Sequence, residues 1–436
     1  MNIRALALEA YSRIVNDGGY SNIVLDDVIK NNDLRAEDRG LLTEIVYGTL
    51  SNQLTIEFYI KPYIKTKLKG RQRNLLDISV YQLVWLERVP DYAVINEAVE
   101  IAKKTDGPEG AKVINAVLRN FSRHSLRDID SVQDDLSRLA IRTSIPKWIL
   151  NHWRTHHGMD GAAAIAEALN EHPRLYIRAN TALISRQALL EKLQKIGHDV
   201  SVNELHPDAI NVHGGEILRS ELHKDGYYSV QDISSMLVNT ALDPQPGDVI
   251  LDACSAPGGK GLHALEKVES GHVDLADVYP HKVPLIEKAA RRLNLKNCTV
   301  FEGDATAHDY QKMYDRIIVD APCSGLGVIR RKPEIRYERN EKDIGKLVEL
   351  QLAILNHVKK YLKPGGVLIY STCTIHQMEN ENVAYTFKKA NEDMAFDDFK
   401  IDALDFTGPY KQILPQEAGT DGFFIARFRK QDKNND

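Results

Sequence analysis

The stretch VILDACSAPGGK, residues 249–260, constrains the fold of this chain more than any other. Three apolar residues of strand type, Val249, Ile250 and Leu251, stop at an acid, Asp252. Pro257, Gly258 and Gly259 then impose a turn, and residues 260–268 have the pattern of a helix. Strand, glycine turn and helix in that order build a nucleotide-type site. Glycine lets the backbone approach a ligand, and the start of a helix leaves N–H groups unpaired. The spacing is neither GxGxxG nor GxxxxGK[ST], so a dinucleotide or a triphosphate is not the expected ligand. An ordinary turn between a strand and a helix has the same ingredients, and the rest of the chain decides between the two readings.

From about Ser229 to the end, strand and helix patterns alternate, which argues for a mainly parallel sheet. Strands are expected at residues 248–253, 271–277, 297–303, 316–320, 367–372, 412–414 and 422–428. Helices are expected at 261–268, 282–293, 342–362 and 380–390. Pro284 is tolerated only in a first helical turn, so its helix should begin near His281 to Val283. The last two strands have no helix between them and should pair antiparallel at one edge.

Ligands of such a sheet bind at the carboxyl ends of the strands. Those ends carry Asp252 with the run Cys254 to Lys260, then Asp277, Asp304, Asp320-Ala321-Pro322-Cys323, and Ser371-Thr372-Cys373-Thr374. Asp277 is placed to accept from ribose hydroxyls and Asp304 from an adenine amino group. One such acid is more often a helix cap or a surface charge. Four beside a glycine turn point to a nucleoside ligand without a phosphate requirement, S-adenosylmethionine. Its expected contacts are Cys254, Ser255, Ala256, Pro257, Gly258, Gly259, Lys260, Asp277, Asp304 and Asp320.

The chain has four cysteines, Cys254, Cys298, Cys323 and Cys373, and no CxxC pair. Zinc and disulfides are therefore not expected, and no metal is assigned. A lone cysteine is usually a small buried hydrophobe. Cys323 and Cys373 sit instead in polar loops after neighbouring strands, where both can face one pocket. Carbon 5 of a pyrimidine is a weak nucleophile. Thiolate addition at carbon 6 makes it an enamine carbon that can attack a sulfonium methyl, and a second group must then help remove the carbon-5 proton and release the enzyme. Two thiols in one site match those two needs, although the residues alone do not say which thiol does which.

The first third, residues 1–142, has helical periodicity at 3–15, 38–50, 75–86, 95–103 and 112–121. Net charge is only −5 over 436 residues, so no global positive field advertises nucleic acid. A local run does: Lys61, Lys65, Lys67, Lys69, Arg71 and Arg73, with Tyr59 and Tyr63 beside it, suits a phosphate-contacting surface with an aromatic platform. A solvated face is the plainer alternative. Residues 143–228 read as a small α+β unit, with a strand near 172–180 and a helix from 185 to 196 capped by Ser185. Arg174 and Arg178 fall on one face of that strand and are expected to face solvent. No apolar run is long enough to span a membrane and no secretory pattern opens the chain, so a cytoplasmic protein is expected.

Residues 92–103 and 113–119 resemble the NusB-like helical RNA-binding domain. Residues 252–260, 320–325, Tyr370 to Thr374 with Glu379-Asn380, and 421–426 together resemble the Nop/Sun family of RNA 5-methylcytosine methyltransferases, of the bacterial Sun/Fmu/RsmB type. The resemblance implies a Rossmann-like α/β methyltransferase domain with a mainly parallel seven-stranded sheet at 229–436, behind an all-helical NusB-like domain and a small α+β domain. It implies methylation of a cytidine in 16S ribosomal RNA, with Cys373 as the attacking thiolate, Cys323 in proton removal and release, and Asp320 beside the target base and the methyl donor. No obligate protein partner is implied. Arg330, Arg331 and Lys332 follow Cys323 and would suit an RNA backbone. Glu334 and Tyr337 stand where the family usually has Asp and Trp. DNA enzymes of similar chemistry lack the Ser371-Thr372-Cys373 cysteine, and a non-catalytic binding factor would have no need of both thiols.

Overall fold

The computed structural model describes residues 2–214 and 216–432. It divides into two compact units, Met1–Glu171 with Ile329–Arg339, and His172–Val328 with Asn340–Asp436. No helix among the described residues is long and apolar enough to cross a membrane.

The first unit is helical: Ile3–Asp17, Ser21–Lys30, Ala36–Ser51, Gln53–Ile60, Gly70–Trp85, Asp91–Ser122, Asp135–Thr143 and Lys147–Ala168. The Asn2 side chain accepts from Ala5 N to open the first helix, and Gly18 closes it at φ 69°. The helices expected at 95–103 and 112–121 are two arms of Asp91–Ser122, broken where Gly107 takes φ 75° ahead of Pro108. Helices Ser21–Lys30 and Gln53–Ile60 were not among those expected, being too short for a clear period. Tyr11, Ile45, Leu76, Ile78, Ile114 and Leu118 form part of one buried core. Each such side chain contributes about 1.5–3 kcal/mol by leaving water.

The segment Ile329–Arg339 packs into this helical unit although it lies between two elements of the second. Arg336, 1% exposed, donates to the carbonyl oxygens of Ser51 (3.0 Å) and Thr143 (2.9 Å) and to Asn170 Oδ1 (2.6 Å). Burial pulls its pKa down to about 10. Ser21 N donates to Glu334 Oε1 at 3.1 Å, and the Tyr337 hydroxyl donates to Ser144 O at 2.9 Å. Glu334 and Tyr337 are thus anchors of the segment.

The second unit holds two main sheets. The small one is antiparallel, β1 (Leu175–Ala179), β2 (Val200–Val202), β3 (Ala209–Val212) and β4 (Tyr228–Val230) in the order β2-β3-β1-β4. Its helix Arg186–Lys195 is capped as expected, with Ser185 Oγ accepting from Ala188 N. The large sheet has β5 (Val249–Asp252), β6 (His272–Asp277), β7 (Cys298–Glu302), β8 (Tyr314–Asp320), β9 (Leu362–Thr372), β10 (Met394–Phe396), β13 (Tyr410–Ile413) and β14 (Phe423–Lys430), with a separate hairpin of β11 (Phe399–Ile401) and β12 (Phe406–Gly408). The order is β10-β14-β9-β8-β5-β6-β7, with β13 also on β14. Strands β5 to β9 run parallel, and β14 is antiparallel to β9.

The sheet therefore has eight strands where the sequence predicts seven. The eighth, β10, is three residues long and pairs only with 428–430 of β14, while β13 covers 423–426. A strand that short shows no alternation to read. Apolar residues alternate between the two covered faces: Ile250, Ile318 and Ile369 on one, Leu251, Val319 and Tyr370 on the other. Pro280–Lys282 forms a 3₁₀ turn and the α-helix begins at Val283, as the prolines require.

Candidate active site

Strands β8 and β9 are parallel neighbours with Asp320 in register with Ser371. Their loops leave the same end of the sheet, and the loops bring Cys323 Sγ to 3.5 Å from Cys373 Sγ. Glu379, fully buried, fixes the first loop: its carboxylate accepts from Ser324 N (2.8 Å), Ser324 Oγ and Gln351 Nε2 (3.1 Å). Ser324 Oγ lies 2.7 Å from Thr374 Oγ1, which ties that loop to the one bearing Cys373. Gln351 Nε2 also donates to Pro322 O at 3.0 Å. Asn380 Nδ2 donates to Thr374 O at 3.0 Å. Gly327 N donates to Cys373 O at 3.0 Å, and Gly422 N to Gly327 O at 2.9 Å. A Cβ at Gly327 would stand 1.9 Å from Gly422 O, so only glycine allows that crossing. Glu379 and Gly422 stand in the motif stretches 379–380 and 421–426, where the sequence by itself assigns neither a task.

Charge is arranged around the thiols. Lys260 Nζ lies 2.6 Å from Asp320 Oδ2, and Ser371 Oγ donates to Asp320 Oδ1 at 2.9 Å. Burial works against the Lys260 ammonium, but Asp320 and, more weakly, Cys373 raise its pKa on balance. Lys260 and Cys373 are thus electrostatically coupled. The Cys323 thiol is held well above its ordinary pKa, first by its hydrogen bond with Cys373 and then by burial. The Cys254 thiol is also pushed up, by burial and then by Asp252, Asp320 and Asp277.

The glycine turn stands at the carboxyl end of β5. Ser255 N donates to Ala276 O at 2.8 Å, and Ala256 N to Asp277 Oδ2 at 3.2 Å. Gly258 has φ 102°, a left-handed conformation open to glycine. Asp252 is buried, and burial followed by the Asp320 charge lifts its pKa to about 7 against weaker opposing contributions from Lys260, Ser255 and the Gly261 N–H. Asp277 is buried at the end of β6, with Lys282 Nζ 3.7 Å away. Asp304 is exposed and caps its own loop, accepting from Thr306 N (2.9 Å) and Oγ1 (2.7 Å), which holds its carboxyl below the usual range.

The cations expected to meet RNA differ in exposure. Lys61, Lys65, Lys67, Lys69 and Arg71 are exposed. Arg73 is taken by Asp77 (2.8 Å) and Glu57 (3.7 Å), and Lys69 Nζ lies 4.0 Å from Asp106. Tyr59 and Tyr63 pack on the helical core, beside Trp85 and Phe121, and do not stand out as a stacking platform. Arg330 is buried and Arg331 half-buried; Lys332 is exposed, 5.9 Å from the Tyr20 ring.

Arg178 also departs from expectation: it is buried, paired with Glu266 at 2.6 Å. Strand β1 is covered on both faces and so has no solvent side, which long-range packing sets and the residue spacing does not report. His206, Asp208 and His263 place ligand-type atoms within 4.8 Å of one another. Lys267 Nζ sits 2.7 Å from Asp208 Oδ2, so an ammonium already neutralises the carboxylate of that group.

Three family models match the chain: 16S rRNA methyltransferase RsmB/F over residues 239–429, the NusB family over 1–123, and an RsmF/B-like ferredoxin-like domain over 145–216. A probable ribosomal RNA small subunit methyltransferase B of Bacillus subtilis is 39% identical, across 99% of both chains. Ribosomal RNA small subunit methyltransferase B of Shewanella oneidensis is 34% identical, again across 99% of both. The crystal structure of PH0851 is similar in fold, with TM-score 0.81 at 22% identity, covering 99% of each chain.

Proposed function

The chain belongs to the ribosomal RNA small subunit methyltransferase B family, and from that premise we propose that it methylates carbon 5 of a cytidine in 16S ribosomal RNA through a covalent adduct on Cys373. The observation that carries this reading is the 3.5 Å approach of Cys323 and Cys373 Sγ. Cys373 adds to carbon 6 of the ring as a thiolate. Asp320, held by Lys260 and Ser371, presents a fixed carboxylate to the base. Carbon 5, now enamine-like, is the atom that would take the sulfonium methyl, with the neutral thioether as leaving group. Cys323, protonated at rest, must first give up its proton; as a thiolate it can then take the carbon-5 proton, after which the carbon-5–carbon-6 double bond re-forms, the Cys373–carbon-6 bond breaks and the product leaves.

The methyl donor is S-adenosylmethionine, which supplies an electrophilic methyl on a sulfonium. What supports it is the arrangement at the ends of β5 and β6: the buried Asp252 carboxylate, a left-handed Gly258, and Asp277 beside the turn. Cys254 to Lys260, Asp277, Asp304 and Asp320 would hold it. Residues 1–142 and 143–228 supply RNA contacts, Lys61 to Arg71 among them; Lys332, in the segment that packs into the helical unit, adds another, and the rest of 229–436 carries out the chemistry. Such a reaction belongs in the cytoplasm, where small subunits are assembled. The target base must leave its stack to reach the thiols. Incubation of the protein with S-adenosylmethionine and 16S ribosomal RNA, followed by nucleoside analysis, should yield 5-methylcytidine. Methylation at another base or ring atom would reject the reading.

A further inference from the structure

The cofactor turn is held from outside its own strand and helix. Helix Gly259–Leu265 begins within the turn, and Glu266 follows its last residue. Gly259 and Glu266 are seven positions apart, two helical turns, and so lie on one face. Arg178 of β1 reaches that face, 1% exposed. Its Nε and Nη2 donate to the two Glu266 carboxylate oxygens at 3.3 and 2.6 Å. Its Nη1 donates to Gly259 O at 3.0 Å and to Gln231 Oε1. One guanidinium thus clamps the helix at both ends, and the next residue after Gly259 is Lys260, which carries Asp320.

We infer that Arg178 is a positioning residue through which the small antiparallel sheet presets the glycine turn for the methyl donor. A buried ion pair is weak evidence of stabilisation by itself, since desolvation offsets much of the attraction. The bond to Gly259 O is different in kind. It fixes the backbone of the turn at the point where a ligand must approach, and a fixed backbone binds without a further ordering cost. Lysine is no substitute, because a point ammonium does not span two carboxylate oxygens, an amide and a carbonyl in one plane.

The inference rests on the proposed cofactor, and three variants of the full chain separate the two claims. Arg178→Met leaves Glu266 buried and unpaired and should lower the unfolding temperature. Arg178→Met with Glu266→Met removes both charges and should restore much of that temperature, yet leaves Gly259 O without its donor. Arg178→Lys retains a cation for Glu266 with shorter reach. Binding of S-adenosylmethionine by calorimetry should weaken at least tenfold in all three, with RNA affinity within twofold of the parent. KM for S-adenosylmethionine should rise in step, with kcat at saturating cofactor within threefold. Cofactor binding within twofold of the parent in the double variant or in Arg178→Lys would overturn the inference and leave the proposed function standing. A parent chain that binds no S-adenosylmethionine would instead remove the proposed function and this inference with it.

Discussion

Cys323 and Cys373 are separated by 50 positions in sequence and by 3.5 Å in space. Lys61 to Arg73 fall within one short run, and their cations answer to different neighbours: Arg73 to Asp77 and Glu57, Lys69 to Asp106, the others outward to water. The cysteines meet because they ride on two strands locked in parallel register and because Glu379, Ser324, Thr374 and Gly327 leave their loops no freedom. The basic run has no such frame. Buried partners, which cost several kcal/mol to leave unmet, make a site; proximity along a solvated chain does not.

That contrast predicts where substitutions hurt. Arg336→Met should have the largest effect on stability, about 3 kcal/mol by denaturant unfolding, because one buried and two partly buried oxygens lose a charged donor. A loss below about 1 kcal/mol would show that this buried frame contributes little. Glu379→Gln should lower kcat roughly ten- to a hundredfold, about 1.4–2.8 kcal/mol, with smaller effect on RNA affinity, because an amide has one acceptor oxygen for the three donors that Glu379 now satisfies. Unchanged kcat would mean that the sulfur pair is not held by that network.

The pH dependence follows from Asp252. Its folded pKa, about 7, lies above the ordinary carboxyl value. Its contribution is therefore complete below about pH 4 and is lost as pH rises to about 7, at up to about 1.4 kcal/mol per pH unit. Asp252→Asn should flatten the stability profile over that window, and an unchanged profile would count against a carboxyl held up by burial. The smallest effects belong to the exposed lysines. Lys67→Ala should weaken RNA binding only a few-fold and lower the salt slope by about one. Arg73→Ala should instead reduce stability, by leaving Asp77 buried without its partner, and leave the salt slope alone. An unchanged affinity and salt slope in Lys67→Ala would take the exposed lysines out of the RNA contact, and a lowered slope in Arg73→Ala would bring Arg73 into it.

Much of the catalytic half was legible because its strands are covered on both faces and read as apolar runs ending in polar loops. The parallel strands β5 to β9 and the antiparallel β13–β14 pair were open to reading for that reason, and Pro284 placed the start of its helix. Less legible was anything set by long-range partners. Arg178 was expected in solvent because spacing reports which face a residue shares, and it does not report what covers that face. Residues 329–339 read as a basic loop, yet Arg336 and Glu334 anchor them in the helical unit. A truncation before Thr143 would strip Arg336 of Ser51 O and expose a buried guanidinium, so it is not a clean test of RNA binding.

The direct test of the sulfur pair is covalent trapping on the full chain with 16S ribosomal RNA and S-adenosylmethionine. With Cys323→Ala, addition through Cys373 proceeds and release stalls, so a protein–RNA adduct should accumulate and survive denaturing electrophoresis. With Cys373→Ala no adduct should form. An adduct from Cys373→Ala, or none from Cys323→Ala in a folded, RNA-binding protein, would contradict the account.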